Sequence, residues 1–340
     1  MNMNNKIIGI QAIDFQWQVE NPFLFCAHHK DFYPRGNKEQ GVAVSLEGRD
    51  IHNDFSRKDG FSMYHGDNVP GFPVHPHRGF ETVTIVLDGV VDHFDSKGAH
   101  GRYAKGDVQW LTTGAGCQHS EMFPLVNEDK ENPAELFQIW VNLPKKDKLV
   151  NPDYKMMWAE DIPLLEVVNK EGKKATVKVI AGNMKGIKSL EPCNNSWAKD
   201  RNNNVGIYLI HMEPNSSIAL DAVSESLIRN LYFYQGEGNI NVDGYNIKPS
   251  NRVKLSGNDE IEIVNEDKES YILILEGEPI LEPVVQYGPF VMNTREEIQE
   301  AIGDYQKTEF GGWPWEKDDP IHDKNQGRIA YYPDGSIEKR

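Results

Sequence analysis

Four side chains able to bind a metal ion occur as two pairs, each with one residue between its members. His75 and His77 belong to "GFPVHPHRGFETV", and His119 and Glu121 belong to "TGAGCQHSEM". Residues i and i+2 of a β-strand point to the same face, so each pair presents both side chains together if its segment is extended. Imidazole nitrogens and carboxylate oxygens are ligands of divalent transition metals. If the two segments meet inside a β-barrel, they form a site of three imidazoles and one carboxylate.

The sequence around the first pair favours an extended conformation. Pro76 biases His75 towards the β or polyproline region, and Pro76 itself offers no N–H to a neighbouring strand. The segment is therefore expected at a sheet edge or at the start of a strand. The two histidines of a single His-x-His pair more often lie exposed on the protein surface than in a metal site. The second pair, which follows a Gly-rich turn with the same spacing, makes a metal site the favoured interpretation.

Other residues near the two pairs have competing interpretations. Cys117 lies two residues before His119 and could supply a thiolate, although a small packing residue is the favoured interpretation. Glu81 follows the first pair and is interpreted as a structural carboxylate. His93 and His100 flank a turn in "DHFDSKGAHG" and are expected to be exposed or hydrogen-bonded loop histidines. Gln138 and Trp140 share one face of "LFQIWVN" and are candidates to line the barrel.

The elements that must position these side chains are mostly strands. Short runs rich in β-branched and aromatic residues recur along the chain, separated by Gly, Asn, Asp and Pro; examples are "TVTIVLDG", "DVQWLTTG", "VGIYLIHMEP" and "YILILEGEP". Asp243-Gly244 after "INV" predicts a tight hairpin. This pattern favours β-barrels or sandwiches over alternating βα units.

One helix is predicted near residues 294–306. Thr294 and Glu297 form a capping-box pattern at its start. Ile298, Ala301, Ile302 and Tyr305 then follow the spacing of one helix face, which predicts a helix that packs one side against a sheet.

Length and local composition predict two domains and a tail. The chain has 340 residues, which suits two domains of about 150 residues each. The Lys- and Pro-rich stretch "VNLPKKDKLVNP" predicts a boundary, so the expected units are 1–148, 149–309 and a C-terminal extension over 310–340. Nine of the eleven histidines precede residue 120, which places any imidazole chemistry in the first domain.

Charge and cysteine content exclude several classes of function. The net charge of −16 argues against direct nucleic-acid binding. Three cysteines with no paired spacing indicate a reducing compartment. The sequence contains no run of 18 apolar residues, so no membrane span is predicted. The N-terminus lacks the pattern of a leader peptide. A cytoplasmic protein is therefore expected.

Longer stretches resemble a known family. "GFPVHPHRGFETVTIVLDG", "GDVQWLTTGAGCQHSEM", "LFQIWVNLP" and "EPVVQYGPFVMNT" are similar to the signature segments of the pirin family, within the cupin superfamily. The resemblance runs from about Asn21 to about Gln306. It implies an all-β bicupin fold, with two stacked cupin-type barrels. The predicted C-terminal helix ends the resemblance, and the extended tail beyond Glu309 is not covered by it. By the family pattern, the first barrel binds metal through His75, His77, His119 and Glu121, and the second is metal-free.

The resemblance also implies a cofactor and two alternative functions. The family metal is iron, expected as Fe(II), while Mn, Co, Ni, Cu and Zn remain open by ligand type alone. The first function is a quercetin 2,3-dioxygenase-like activity on a small flavonol-like substrate, with Glu121 as the catalytic proton acceptor. The alternative is a metal- or redox-dependent regulator that acts on transcription through a protein partner. The segment over residues 35–70, which contains His52 and His65, looks like an insertion relative to the family pattern, so the resemblance does not define the mouth of the site.

Overall fold

The fold is seen in a computed structural model that describes residues 6–14 and 16–340. The expectation of no leader peptide falls largely on residues 1–5, which lie outside these ranges. The described residues form strands, a few single-turn 3₁₀ segments and one α-helix. None of the described helices is both long and apolar enough to cross a membrane. The all-β class with a C-terminal helix is confirmed.

Strands dominate the described part of the chain from one end to the other. The strands up to Met157 are β1 (Ile7–Ala12), β2 (Phe23–Tyr33), β3 (Gly71–His77), β4 (Phe80–Asp88), β5 (Val90–Asp95), β6 (His100–Ala104), β7 (Val108–Thr112), β8 (Cys117–Met122), β9 (Asn132–Asn142) and β10 (Asp153–Met157). The strands that follow are β11 (Leu164–Val168), β12 (Lys174–Ala181), β13 (Asn183–Met184), β14 (Ile187–Lys188), β15 (Gly206–Met212), β16 (Ser217–Leu220), β17 (Ile228–Gly236), β18 (Ile240–Val242), β19 (Tyr245–Ile247), β20 (Asn251–Leu255), β21 (Ile261–Asn265) and β22 (Ser270–Gly277). The last elements are β23 (Val285–Tyr287), β24 (Phe290–Met292), α1 (Arg295–Thr308), β25 (Ile329–Tyr331) and β26 (Ile337–Lys339). The 3₁₀ segments are Lys58–Gly60, Lys145–Asp147, Trp197–Lys199, Arg201–Asn203 and Glu309–Gly311.

Two compact units make up the described chain. The first, termed the His-rich unit, comprises Ala27–Ala159 and Glu282–Arg340. It contains a five-stranded sheet in the order β10-β7-β4-β9-β2 and a six-stranded sheet in the order β26-β25-β6-β5-β8-β3. Apolar side chains of both sheets form one core, with Val86 and Leu136 from the first sheet and Val91 and Cys117 from the second. Full burial of such an aliphatic side chain stabilises the fold by about 1.5–3 kcal/mol.

The second unit comprises the described residues up to Cys26 together with Glu160–Leu281. Its seven-stranded sheet has the order β1-β20-β17-β22-β15-β12-β11, and its four-stranded sheet has the order β16-β21-β18-β19. The predicted hairpin is confirmed, since Asp243 and Gly244 connect β18 to β19 with positive φ values of 44° and 87°. Glycine adopts that backbone region without steric cost, which explains its place in the turn.

The compact units divide the chain differently from the predicted ranges 1–148, 149–309 and 310–340. The helix and the C-terminal extension belong to the His-rich unit, where β25 pairs with β6. The described residues up to Cys26 belong to the second unit, where β1 pairs with β20. Local composition near Pro144 indicates where a strand ends. It carries no information on strand pairing between distant parts of the chain, which decides the units.

The helix α1 begins as predicted. Thr294 Oγ1 accepts from the backbone N–H of Glu297, and the Glu297 carboxylate accepts from the backbone N–H of Thr294. These two bonds satisfy N–H groups that a helix start leaves free. Ile298 and Ala301 are buried, and they pack with Phe290 and Met292 of β24.

Arg102 anchors the C-terminal extension on the six-stranded sheet. Its guanidinium is 3% exposed and binds both carboxylate oxygens of Asp92 at 2.7 Å. The same group donates to the carbonyl oxygens of His322 and Asp323 in the extension, at 3.1 and 2.9 Å. One buried ion pair therefore fixes the path of the tail.

We expect Arg102→Met to lower the free energy of unfolding by about 3–5 kcal/mol, because the substitution leaves the Asp92 carboxylate buried without its partner. Denaturant unfolding monitored by tryptophan fluorescence measures this, and proteolysis should become faster around Lys324. Lys339→Met, at an exposed position of the same extension, is the matched control and should change stability little. Equal stabilities of the two variants would contradict the anchoring role.

Candidate metal centre

Strand pairing brings the two predicted pairs to one place. In the antiparallel ladder of β3 and β8, His75 lies opposite His119 and His77 opposite Cys117. The ring centroids of the three histidines are 4.5 to 4.9 Å apart, and one nitrogen of each lies within 4.8 Å of the others. An irregularity between Phe72 and His75 shifts the register, which is the usual role of a bulge beside a functional site.

Backbone carbonyls fix how two of the imidazoles point. His75 Nδ1 lies 2.8 Å from the carbonyl oxygen of Pro73, and His77 Nδ1 lies 3.4 Å from that of Pro289. A carbonyl only accepts, so each Nδ1 carries the proton and each Nε2 keeps its lone pair. Metal-binding histidines are commonly oriented in this way.

The third imidazole has no hydrogen-bond partner within residues 6–14 and 16–340. Both ring nitrogens of His119 are buried and unpaired among the described residues. An unpaired buried polar group costs about 1–3 kcal/mol, so a native structure rarely keeps one without a reason. His119 Nε2 lies 3.9 Å from Glu121 Oε2. A ligand between them would satisfy the nitrogen.

Burial keeps the histidines neutral. It lowers the pKa of His75 to about 4 and the pKa values of His77 and His119 well below the ordinary value, and neighbouring imidazoles lower all three further. At pH 7 the three rings therefore offer lone pairs rather than protons. Neutral imidazole is the form that binds a metal ion.

Glu121 lies beside the histidine trio and is held by three side chains. Thr84 Oγ1 donates to Oε1 at 2.7 Å, Gln138 Nε2 donates to Oε2 at 2.7 Å, and the Tyr103 hydroxyl reaches Oε1 at 3.5 Å. Burial raises the pKa of this carboxyl, while these hydrogen bonds act in the opposite direction. The carboxylate is thus oriented without an ion pair from Lys or Arg.

The donor set fits a divalent transition metal. Three converging neutral imidazoles suit Fe, Zn, Cu or Ni, and a nearby carboxylate supplies an oxygen donor. The unpaired nitrogens of His119 are the specific observation in favour of this fit. His75, His77 and His119 are also the one group of three or more potential ligands that meets these distance limits within residues 6–14 and 16–340.

Residues 289–291 support the site from outside the β3–β8 pair. Arg78 exchanges backbone hydrogen bonds with Pro289 and Val291. The buried Lys148 ammonium donates to the carbonyl oxygens of Gly79 and Val291, at 2.8 and 3.1 Å. Gly79 has φ +87°, and a Cβ there would lie 2.0 Å from the Val291 oxygen. This close approach holds the Pro289 carbonyl against His77.

The competing candidates have structural surroundings. Glu81 accepts from Trp110 Nε1 at 2.9 Å and from Thr112 Oγ1 at 2.7 Å, in agreement with a structural carboxylate. Cys117 is buried in the apolar core, with its sulfur 3.7 Å from Ser96 Oγ. Trp140 lies edge-on to His77 at 5.3 Å and lines the site as expected.

The expectation that His93 and His100 lie in a loop was wrong. His93 is a fully buried residue of β5, 5.5 Å from the His119 ring and stacked on Tyr154 at 5.2 Å. His100 lies in β6 and stacks on Tyr331 of the C-terminal extension at 4.1 Å. The connection between β5 and β6 is shorter than its polar composition suggests, so both histidines lie on strands.

Sequence reasoning missed two further neighbours of the site. Thr84 lies on β4 and donates a hydrogen bond to Glu121. Because side chains alternate along a strand, Thr84 shares the face of Thr82 and lies opposite to the face of Glu81. His29 lies 5.8 Å from Phe72, whose ring is 6.4 Å from that of His75. No local pattern links His29 to residues that follow it by more than 40 positions.

Comparison with known proteins agrees with the geometry. The Pirin family model matches residues 17–141, and the model of the Pirin C-terminal cupin domain matches residues 207–311. Pirin of Rattus norvegicus is 37% identical over 255 residues, which cover 74% of this chain and 81% of that protein. A Pseudomonas aeruginosa protein named "Putative quercetin 2,3-dioxygenase" is 39% identical over 242 residues, covering 70% of this chain and 80% of that protein.

A solved structure shares the architecture. The crystal structure of a quercetin 2,3-dioxygenase from Acinetobacter baumannii superposes with a TM-score of 0.69 and 27% sequence identity, and covers 90% of this chain and 98% of that chain. The two units are therefore the two cupin-type barrels of a bicupin, as the resemblance implied. Sequence, fold and site geometry together show that this chain belongs to the pirin family.

Proposed function

We propose that this chain is an iron-dependent dioxygenase that cleaves flavonols with O₂. The observation that carries the proposal is the convergence of three neutral imidazoles beside the buried carboxylate of Glu121. The likeness to proteins named as quercetin 2,3-dioxygenases supports the substrate class. Iron follows from the family resemblance, and Mn, Co, Ni, Cu and Zn accept similar donor sets.

The ligand assignment is part of the proposal. His75, His77 and His119 would hold the metal through Nε2, and Glu121 through a carboxylate oxygen. A metal in this position supplies a Lewis acid that polarises the oxygens of the substrate. Three neutral imidazoles and one carboxylate leave open positions on an octahedral ion, unlike a closed structural zinc site.

Glu121 is the proposed proton acceptor for the 3-hydroxyl of the flavonol. Thr84 and Gln138 fix both of its oxygens, so the carboxylate is oriented before substrate arrives. Burial raises the pKa of this carboxyl, which favours proton uptake, whereas binding to the metal would lower its basicity. A buried carboxylate held by neutral donors can both hold and return a proton.

Aromatic side chains bound the space around the histidines. Trp140 contacts His77 edge-on and Phe80 at 4.4 Å, and Phe72 lies on the side of His75. Such walls suit a planar aromatic ligand and keep bulk water from the reacting atoms.

The test is oxygen consumption by the iron-loaded protein. We expect the flavonol absorbance to fall with stoichiometric O₂ uptake when quercetin is added. Metal-stripped protein and a flavone that lacks the 3-hydroxyl are the controls, and neither should support uptake. The absence of O₂ consumption with several flavonols would overturn the enzyme proposal and leave the regulatory alternative.

A further inference from the structure

A series of buried hydrogen bonds lies beside Phe72, one of the aromatic side chains that bound the site. Asp31, which is 1% exposed, accepts from the Tyr64 hydroxyl at 2.7 Å and from the Ser62 backbone N–H at 2.9 Å. His29 Nδ1 lies 2.9 Å from the same Tyr64 oxygen. Tyr64 has a single hydroxyl proton and gives it to the carboxylate, so its oxygen accepts from His29 Nδ1–H. This chain of bonds leaves the lone pair of His29 on Nε2.

His29 Nε2 is free to accept a hydrogen bond. It has no partner within the described ranges, and the residue is partly exposed. Burial, and then the charges of His28 and Arg57, lower the pKa of His29 to about 3. The ring is therefore a neutral acceptor at working pH. It offers a lone pair to a donor and does not carry charge.

The position of His29 connects this acceptor to the metal site. His29, Asp31 and Tyr33 alternate along β2, and Tyr33 belongs to the core of the His-rich unit. These three residues therefore face the barrel interior, whereas Phe32 is 60% exposed. The ring of His29 lies 5.8 Å from that of Phe72, and the ring of Phe72 lies 6.4 Å from that of His75. Phe72 therefore connects His29 to the histidine trio.

The insertion-like segment is shaped to present Tyr64. Tyr64 has φ +57°, a conformation that costs a bulky side chain energy and recurs at functional sites. Reciprocal backbone bonds with Asp54, each 2.9 Å, hold it there. The Tyr64 ring meets that of His29 edge-on at 4.8 Å and stacks on Phe72 at 5.1 Å. The segment thus supplies Tyr64, whose ring extends the aromatic surface of Phe72 and whose hydroxyl orients His29.

We propose that His29, oriented by Tyr64 and Asp31, selects flavonols that carry a hydroxyl on the phenyl substituent, the ring that is not fused to the ring with the metal-chelating oxygens. The inference rests on the proposed function and adds a specificity-determining residue to it. The aromatic side chains accept the flat ring system, and His29 Nε2 accepts a hydrogen bond from the hydroxyl on the phenyl substituent. A ligand without that hydroxyl covers His29 and leaves its nitrogen unpaired, which costs affinity.

The test compares two flavonols in binding rather than turnover. Quercetin carries hydroxyls on its phenyl substituent, and galangin has none on that ring. Both flavonols share the 3-hydroxyl and the 4-carbonyl that chelate the metal. Dissociation constants are measured anaerobically with iron-loaded protein from the shift in flavonol absorbance. We expect wild-type protein to bind quercetin about tenfold more tightly than galangin, the effect of one hydrogen bond. His29→Phe should bring this ratio close to one, because it keeps the ring but removes both the acceptor that quercetin uses and the nitrogen that galangin leaves unpaired.

Two further variants make the test specific. Tyr64→Phe removes the hydroxyl that orients His29 and should reduce the ratio. His28→Phe is the matched control, because its ring stacks on Phe137 and its Nε2 binds Glu135, on the opposite face of β2. Its ratio should equal that of wild type.

The outcomes separate the two proposals. If both flavonols bind wild type and His29→Phe keeps the wild-type ratio, the selectivity role is overturned while the proposed function stands. If neither flavonol binds iron-loaded wild type, the proposed function fails and this inference fails with it.

Discussion

Replacing His77 by alanine is expected to remove metal binding. The substitution deletes one of three converging nitrogens, and two nitrogens with the Glu121 oxygen would hold an ion far more weakly. Loss of residues that merely orient a ligand weakens metal affinity by about 10–100-fold, so loss of a ligand should exceed about 100-fold. Metal content after dialysis and competition with a chelator of known affinity measure the effect.

His211→Ala is the control for this experiment. His211 lies in the second unit, where it stacks on Tyr271 at 4.8 Å and approaches Glu269 at 3.6 Å. The variant should bind metal as wild type does. Full metal retention by His77→Ala would contradict the site. So would equal losses in both variants, because a general loss of folding would then explain the result.

Stability separates a metal site from a packed core. Wild-type protein should gain about 2.7 kcal/mol when the metal is present at 100 times its dissociation constant, and His77→Ala should gain less than about 0.4 kcal/mol at the same metal concentration. In metal-free protein, His119→Leu should not lower stability, because it removes two buried nitrogens that have no partner among the described residues. Histidines that served only packing would show the reverse, with a cost in the metal-free state and no effect of metal.

The spacing of the two pairs carried most of the site prediction. A period of two fixes which side chains share a strand face, and this is a local property of the backbone. His75 with His77, and His119 with Glu121, could therefore be grouped without knowledge of the fold. The step that local geometry does not supply is the pairing of β3 with β8, whose paired residues His75 and His119 are far apart in the chain. The family resemblance supplied it.

The residues that sequence reasoning missed depend on long-range contacts. His29 and Tyr64 are 35 positions apart, and their hydrogen bond requires the intervening segment to fold back on β2. The same holds for Pro289, whose carbonyl meets His77 across 212 positions. The predicted domain ranges differ from the two compact units for the same reason. The pairing of β25 with β6 cannot be predicted from local composition. Hydrophobic alternation identifies strands and faces, but neighbours in a sheet are chosen by the packing of the whole unit.

Glu121→Gln is expected to abolish most turnover while part of the metal is retained. Glutamine keeps the size of the side chain and an oxygen that can accept from Thr84. Its amide nitrogen replaces the oxygen that accepts from Gln138, so the Gln138 amide must flip to accept from it. Glutamine cannot accept the 3-hydroxyl proton, since an amide is not a base at working pH. Removal of a general base typically slows a reaction by about 10²–10⁴-fold. The measurement is kcat for flavonol loss and O₂ uptake, normalised to bound iron.

The matched control for Glu121→Gln is Glu81→Gln, a second buried carboxylate of the same barrel. Its oxygen accepts from Trp110 and Thr112, and the substitution weakens those bonds without touching the histidine trio. We expect Glu81→Gln to lower stability and to leave kcat per bound iron near the wild-type value. If Glu121→Gln turned over at the wild-type rate per iron, the proton would have another acceptor, and Glu121 would serve only to hold the metal. A loss of turnover confined to Glu121→Gln, with iron still bound, would show that the reaction needs this carboxylate beside His119, as a base or as a charged ligand.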